Sequence, residues 1–218
     1  MGARAAGEGL TVARRQPRGL ETRDRILATA LREFAARGYA AVTIEEIAAA
    51  AEVTKGAVYY WFANKDDLGR ELQHGLYDRL TTMSLQSFDP EADLVTNMRR
   101  GFHVYLDALG DLGEARFFLR DAWTIPALDE AGRQDHEVAA AMVRDTLAVG
   151  IRRGEVVALD PDALARVLLG AGAEATLHML STGERASTVA VIEHLLEALR
   201  PVGTPARRRR TTTTGGMR

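Results

Sequence analysis

Between residues 43 and 67 the sequence reads TIEEIAAAAEVTKGAVYYWFANKDD, and it contains three helix starts in quick succession. Thr43 followed by Glu46 is a capping box: the hydroxyl accepts one free amide, and the carboxylate reaches back for another. Thr54 is a good N-cap eleven residues on, and Asn64 caps again ten residues later, with Asp66 and Asp67 in the first turn where the helix dipole favours acids. The two helices so bounded, 43–50 and 54–61, are barely two turns each. Helices that short are marginal alone and need neighbours to pack on. Only AEV separates them. A short helix, a tight turn and a second short helix form a helix-turn-helix, whose second helix enters the DNA major groove with its N-terminal residues toward the bases.

The flanks supply the neighbours. Ile26, Leu27, Ala30, Leu31 and Phe34 recur at helical spacing over 22–38, and Gly38 is the expected left-handed stop. After Asn64 a long helix over 66–87 is expected, with Leu68, Leu72, Leu76 and Leu80 every four residues and Met83 beyond, broken by Asp89-Pro90. Further helical patterns cover 91–109, 113–123, 128–153, 161–181 and 187–200. Gly154 closes the third of these, and Asp160-Pro161 opens the fourth with an N-cap and a proline at the first helical position. The fold class is therefore all-α. Its expected organisation is a basic disordered arm (1–20), a three-helix DNA-binding domain (21–67), a helical effector-binding and dimerisation domain (68–202) and a low-complexity basic tail (203–218).

Charge narrows the partner. Residues 1–89 hold 12 Lys+Arg against 12 Asp+Glu, residues 90–202 hold 11 against 18, and residues 203–218 hold five arginines and no acid. The middle of the chain is no surface for a polyanion, so DNA contact belongs to the N-terminal part. Of the 28 Lys+Arg, only Lys55 and Lys65 are lysine, and they flank the aromatic run of the second short helix. Thr54, Lys55 and Gly56 open that helix. The missing side chain of Gly56 lets backbone approach DNA, Tyr59 and Tyr60 offer rigid hydroxyls to phosphates, and Lys65 is a point charge at the next helix start.

The stretch TRDRILATALREFAARGYAAVTIEEIAAAAEVTKGAVYYWFANKDDL resembles the DNA-binding domain of the tetracycline-repressor (TetR) family of bacterial regulators. The matching features are the REFAARGY segment, the Thr opening TIEEIA, the KGAVYYWF helix and NKDDL. The resemblance covers about 22–70; beyond it, only the all-helical architecture matches. It implies a homodimer on a palindromic operator, released by a small-molecule effector. Carried over by position, it implies DNA contacts at Thr43, Thr54, Lys55, Gly56, Tyr59, Tyr60 and Lys65. Trp61 departs from the pattern, since histidine is common there; its indole N–H is a donor for phosphate or its ring packs into the domain. Val53 stands where polar residues often occur.

In the C-terminal part, Phe102, His103, Tyr105, Phe117, Phe118, Trp123 and Met142 are candidates for lining an effector pocket between helices. Val167, Leu168, Ala171, Leu177, Leu180, Val191 and Leu195, with the small residues around Gly170 and Gly172, form a candidate dimer interface of two helices per chain. The alternatives are ordinary core packing for both sets. Without cysteine, disulfides and thiolate chemistry are excluded. The five histidines show no metal spacing, no nucleophile–base set or Gly-rich phosphate loop suggests an enzyme, and no cofactor is expected. No apolar run has membrane-spanning length and no signal segment opens the chain, so a cytoplasmic location is expected. The competing functions are a ligand-independent DNA-binding or interaction protein, and an activator with the same fold.

Overall fold

The computed structural model describes residues 17–110 and 112–202. Among these residues the secondary structure is helical throughout. The helices are α1 (Pro17–Arg37), α2 (Ile44–Ala50), α3 (Lys55–Trp61), α4 (Lys65–Ser87), α5 (Leu94–Ala108), α6 (Leu112–Arg116), α7 (Pro126–Arg152), α8 (Pro161–Thr182) and α9 (Arg185–Glu197). A π-helical turn (Phe117–Asp121) and a 3-10 turn (Ala122–Thr124) join α6 to α7. No helix among the described residues is long and apolar enough to cross a membrane. The calls on 1–16 and 203–218 lie outside the described residues.

Local chemistry sets most of the boundaries. Gly38 turns α1 off at φ +82°, and its amide donates to the Phe34 carbonyl at 2.9 Å. The side chains of Thr43, Thr54, Asn64, Asp93 and Asp160 each accept a backbone N–H at the start of α2, α3, α4, α5 and α8. Two expectations need correction. Residues 17–20 belong to α1 and not to a disordered arm. Proline fits a helix start, and the extra turn finds a neighbour, since a Cβ on Gly19 would lie 3.4 Å from the Trp61 ring. The second is the regular helix expected over 113–123. Its middle widens into the π turn, which brings the adjacent residues Phe117 and Phe118 both inside, at 0% and 6% exposure.

One buried cluster runs across the expected domain boundary. Ile26, Phe34, Val42, Ile47, Val58 and Phe62 of the helix-turn-helix head join Leu68 and Leu72 of α4, then Phe117, Phe118, Leu128 and Leu177 of the C-terminal part. Phe34 stacks on Phe117 with centroids 5.6 Å apart. α4 meets α7 through two reciprocal close approaches. A Cβ on Gly69 would lie 2.8 Å from Leu128, and one on Gly132 would lie 2.7 Å from the amide of buried Gln73. A second cluster, Leu94, Val95, Leu147, Val156, Ala165 and Leu196, holds the far end together. The head is thus packed onto the C-terminal helices and not hung from them by a linker.

Candidate nucleic-acid interface

The head presents α3 by burying one side of it. Val58 and Phe62, four residues apart and 0% and 3% exposed, face the core. The rest of the helix is then turned outward: Tyr59 is 46% exposed and Tyr60 76%. Thr54, Lys55 and Gly56 are exposed on the first turn. Thr54 Oγ1 accepts the Ala57 amide at 3.1 Å. The α2 cap beside it is complete: the Thr43 amide donates to Glu46 Oε2 at 2.8 Å, and the Glu46 amide to Thr43 Oγ1 at 3.3 Å. Arg37 donates to Glu46 Oε1 at 2.6 Å. That guanidinium, followed by the cap hydrogen bonds, holds the Glu46 carboxyl down to about 2.

The turn between α2 and α3 has a feature with no signal in the sequence. Glu52 adopts a left-handed conformation at φ +54° without being glycine. The Val53 amide closes the turn onto the Ala48 carbonyl at 2.9 Å, and the Val53 side chain packs against the core.

The two lysines do different work. Lys55 is half-exposed and paired with Glu45 of α2, and its ammonium lies 5.6 Å from the Tyr59 ring centroid. The hydrogen bond from Lys55 lowers the Glu45 carboxyl, and the reciprocal effect raises the Lys55 ammonium. Lys65 turns inward. It donates to the carbonyls of Tyr39 and Val42 at 2.9 and 3.0 Å and sits 4.3 Å over the Tyr39 ring. Its place is that of a staple between α4 and the turn that precedes α2. Lys65→Ala is expected to cost about 1.5–3 kcal/mol of stability, the range for a hydrogen bond to a charged group. Chemical denaturation checks it; unchanged stability with weakened DNA binding would return Lys65 to the interface. Trp61 is half-buried against the core and meets the Tyr60 ring edge-on at 5.0 Å.

The seven effector candidates do not share one place. Phe117 and Phe118 are core, with Tyr105 packed against the same cluster. Trp123 Nε1 donates to the Phe118 carbonyl at 3.1 Å, and its ring meets His136 edge-on. Phe102 packs on the second cluster, His103 meets Glu193 of α9 at 3.1 Å, and Met142 is 42% exposed on α7. A polar cleft that the sequence did not signal opens between α4 and α7. It measures about 290 Å³ and is lined by Asp67, Arg70, Glu71, His74, Ala131, Gln134 and Asp135. Among the described residues no group of three or more His, Asp or Glu is placed to hold a metal.

On the candidate dimer surface, Val167, Val191 and Leu195 are 65%, 59% and 51% exposed. Leu168, Ala171 and Leu180 are partly covered, whereas Leu177 lies inside the protomer's own core.

A short capped helix with two exposed tyrosines, set on a three-helix head that shares its core with a larger helical body, defines a helix-turn-helix protein with an attached helical domain. Two family models match in the corresponding order: "Bacterial regulatory proteins, tetR family" over residues 26–72, and "Tetracyclin repressor-like, C-terminal domain" over residues 95–200. The chain belongs to the TetR family. It is 41% identical over 59 residues to the probable acrEF/envCD operon repressor of Escherichia coli K12, 27% of either chain, so it spans only about a quarter of that relative. Solved structures with the same fold include the fatty acid degradation regulator FadR of Bacillus halodurans, at 19% identity and TM-score 0.72, covering 85% of this chain and 97% of that one. FadR of Bacillus subtilis in complex with stearoyl-CoA matches at 20% identity and TM-score 0.70, covering 81% and 96%.

Proposed function

We propose that the chain is a dimeric transcriptional regulator that represses by occupying a palindromic operator and is released by a small-molecule effector. The observation that carries the reading is the outward face of α3. Val58 and Phe62 anchor the helix in the core, yet Tyr59 and Tyr60 stand 46% and 76% exposed beside it. Gly56 supports it: a Cβ there would meet only Thr54 Oγ1, at an ordinary 3.8 Å. Glycine inside a helix costs about 0.5–1 kcal/mol relative to alanine, so close approach of something outside the chain is the better reason for it. In this reading Thr43, Thr54, Lys55, Gly56, Tyr59 and Tyr60 meet DNA, Trp61 packs α3 against the core, and Lys65 ties α4 to the turn before α2.

Two copies joined through the exposed faces of α8 and α9 place two α3 helices in successive major grooves, about 34–36 Å apart. An effector among the C-terminal helices acts by preferring a body shape in which that spacing is lost; equal affinity for both shapes would shift nothing. By linkage, operator DNA weakens effector binding by the same factor. The core continuous from Phe34 to Phe117 is the path such a change would take.

The test is selection of fragments from the host's genomic DNA by purified protein, with its mass in solution measured by light scattering. A shared inverted repeat recovered by a dimer is the expected result. Recovery of no common sequence, with and without candidate effectors, would reject the reading. Stearoyl-CoA, the ligand of the Bacillus subtilis FadR of like fold, is the first effector to try.

A further inference from the structure

The recognition surface is poor in positive charge. From residue 43 to residue 64, Lys55 is the one cation, against Glu45, Glu46 and Glu52. Glu46 is engaged by Arg37 and by the cap of its own helix. Glu45 has neither partner; it reaches from α2 to α3 and takes the Lys55 ammonium. Both side chains stay in solvent, at 57% and 51% exposure, so the pair is not needed to fill a core. An acid on a face that meets a polyanion weakens binding to every sequence alike unless it does something else there.

We infer that Glu45 is a specificity-determining residue: it masks Lys55 from phosphate on random DNA and gives it up only where a base offers Glu45 another donor. The inference rests on the DNA-binding function proposed above. A carboxylate in the major groove accepts from the N4 amino group of cytosine. On a sequence with a cytosine in reach, Glu45 moves to that amino group, and Lys55 is released to a phosphate or to guanine. On other sequences Lys55 remains on Glu45 and displaces no counterion from the DNA. The pair makes one favourable phosphate contact conditional on the base sequence. Specificity is a difference of affinities, and this arrangement lowers the weaker of the two.

The experiment uses full-length protein and a random-sequence duplex long enough for two half-sites, with affinity followed by anisotropy over a range of salt. The logarithm of affinity falls with the logarithm of salt by about 0.9 for each phosphate neutralised. Glu45→Gln is expected to bind the random duplex more tightly and to steepen the slope by about 0.9 per protomer engaged. Glu45→Ala serves as a second variant with the same expectation. In a Lys55→Ala background Glu45→Gln should add no steepening: the double variant Glu45→Gln/Lys55→Ala should match Lys55→Ala. Asp145→Asn on α7 removes one negative charge far along the chain and should change nothing. A wild-type slope for Glu45→Gln, or the same steepening in the Lys55→Ala background, would overturn the masking role, the second because Glu45 would then act by diffuse repulsion. If neither wild type nor Glu45→Gln bound any duplex, the inference would fall together with the function beneath it, a result separable from the other two.

Discussion

Tyr59→Ala/Tyr60→Ala is expected to weaken operator binding at least about a thousandfold and to leave the fold intact. The role proposed for each hydroxyl is a bond to a phosphate, and a hydrogen bond to a charged group is worth about 1.5–3 kcal/mol. A dimer carries two copies of each tyrosine, so four contacts are lost. Even at the low end this is roughly 6 kcal/mol, or about four powers of ten in affinity. Contacts on one helix are not additive, so a loss of at least about a thousandfold is the safer expectation. Stability should hardly move. Tyr59 and Tyr60 are both exposed on α3, and alanine is the better helix former. Against this, the Tyr60 ring gives up its edge-on contact with Trp61, worth about 1 kcal/mol. Tyr59→Phe/Tyr60→Phe separates hydroxyl from ring: if phosphate bonding dominates, it loses most of the affinity too. A gel-shift titration on the selected operator decides it, and full affinity in the alanine variant with native circular dichroism would reject α3 as the reading helix.

What the sequence disclosed, and what it hid, divides by the range of the interaction. The caps at Thr43, Thr54, Asn64 and Asp160 involve residues three apart, so their signature is local and the helix starts were legible. Tyr59 and Tyr60 stand outward because Val58 and Phe62, one turn apart, are buried. The inward bonds of Lys65 had no local signature, because their acceptors, the Tyr39 and Val42 carbonyls, are more than twenty positions away and converge on it only when the head folds. The first turn of α1 also lies beside Trp61, since a Cβ on Gly19 would be 3.4 Å from its ring, and no local pattern contains that contact. The π turn was hidden for a similar reason, since Phe117 and Phe118 fit an ordinary amphipathic reading as well. α8 carries apolar residues on more than one side, so periodicity could not separate Leu177, which faces the protomer's own core, from Val167, which faces solvent.

Phe117→Ala tests whether head and body are one mechanical unit. Phe117 is 0% exposed, stacked on Phe34 of α1 at 5.6 Å and edge-on to Phe118 at 5.3 Å. Truncating a buried phenylalanine costs about 3–5 kcal/mol, because the lost transfer energy is joined by a cavity that the surroundings only partly fill. Against a typical total of about 5–15 kcal/mol this is a large fraction, and it should lower Tm by roughly 6–20 °C in a chain of this size. Measurement belongs at a fixed protomer concentration, since dimerisation contributes to apparent stability. Phe34→Ala and the double variant complete a cycle. Direct contact across the junction should appear as a coupling of about 0.5–1.5 kcal/mol, whereas strictly additive losses would mean that the two rings stabilise separate units. The functional consequence follows from the same cavity. If the rings carry the effector's preference from the body to the head, the factor by which effector weakens DNA binding shrinks in Phe117→Ala even at temperatures where the variant is fully folded. An unchanged factor would place the coupling elsewhere, and the reciprocal approaches of α4 to α7 at Gly69 with Leu128 and at Gly132 with Gln73 are the next contacts to alter.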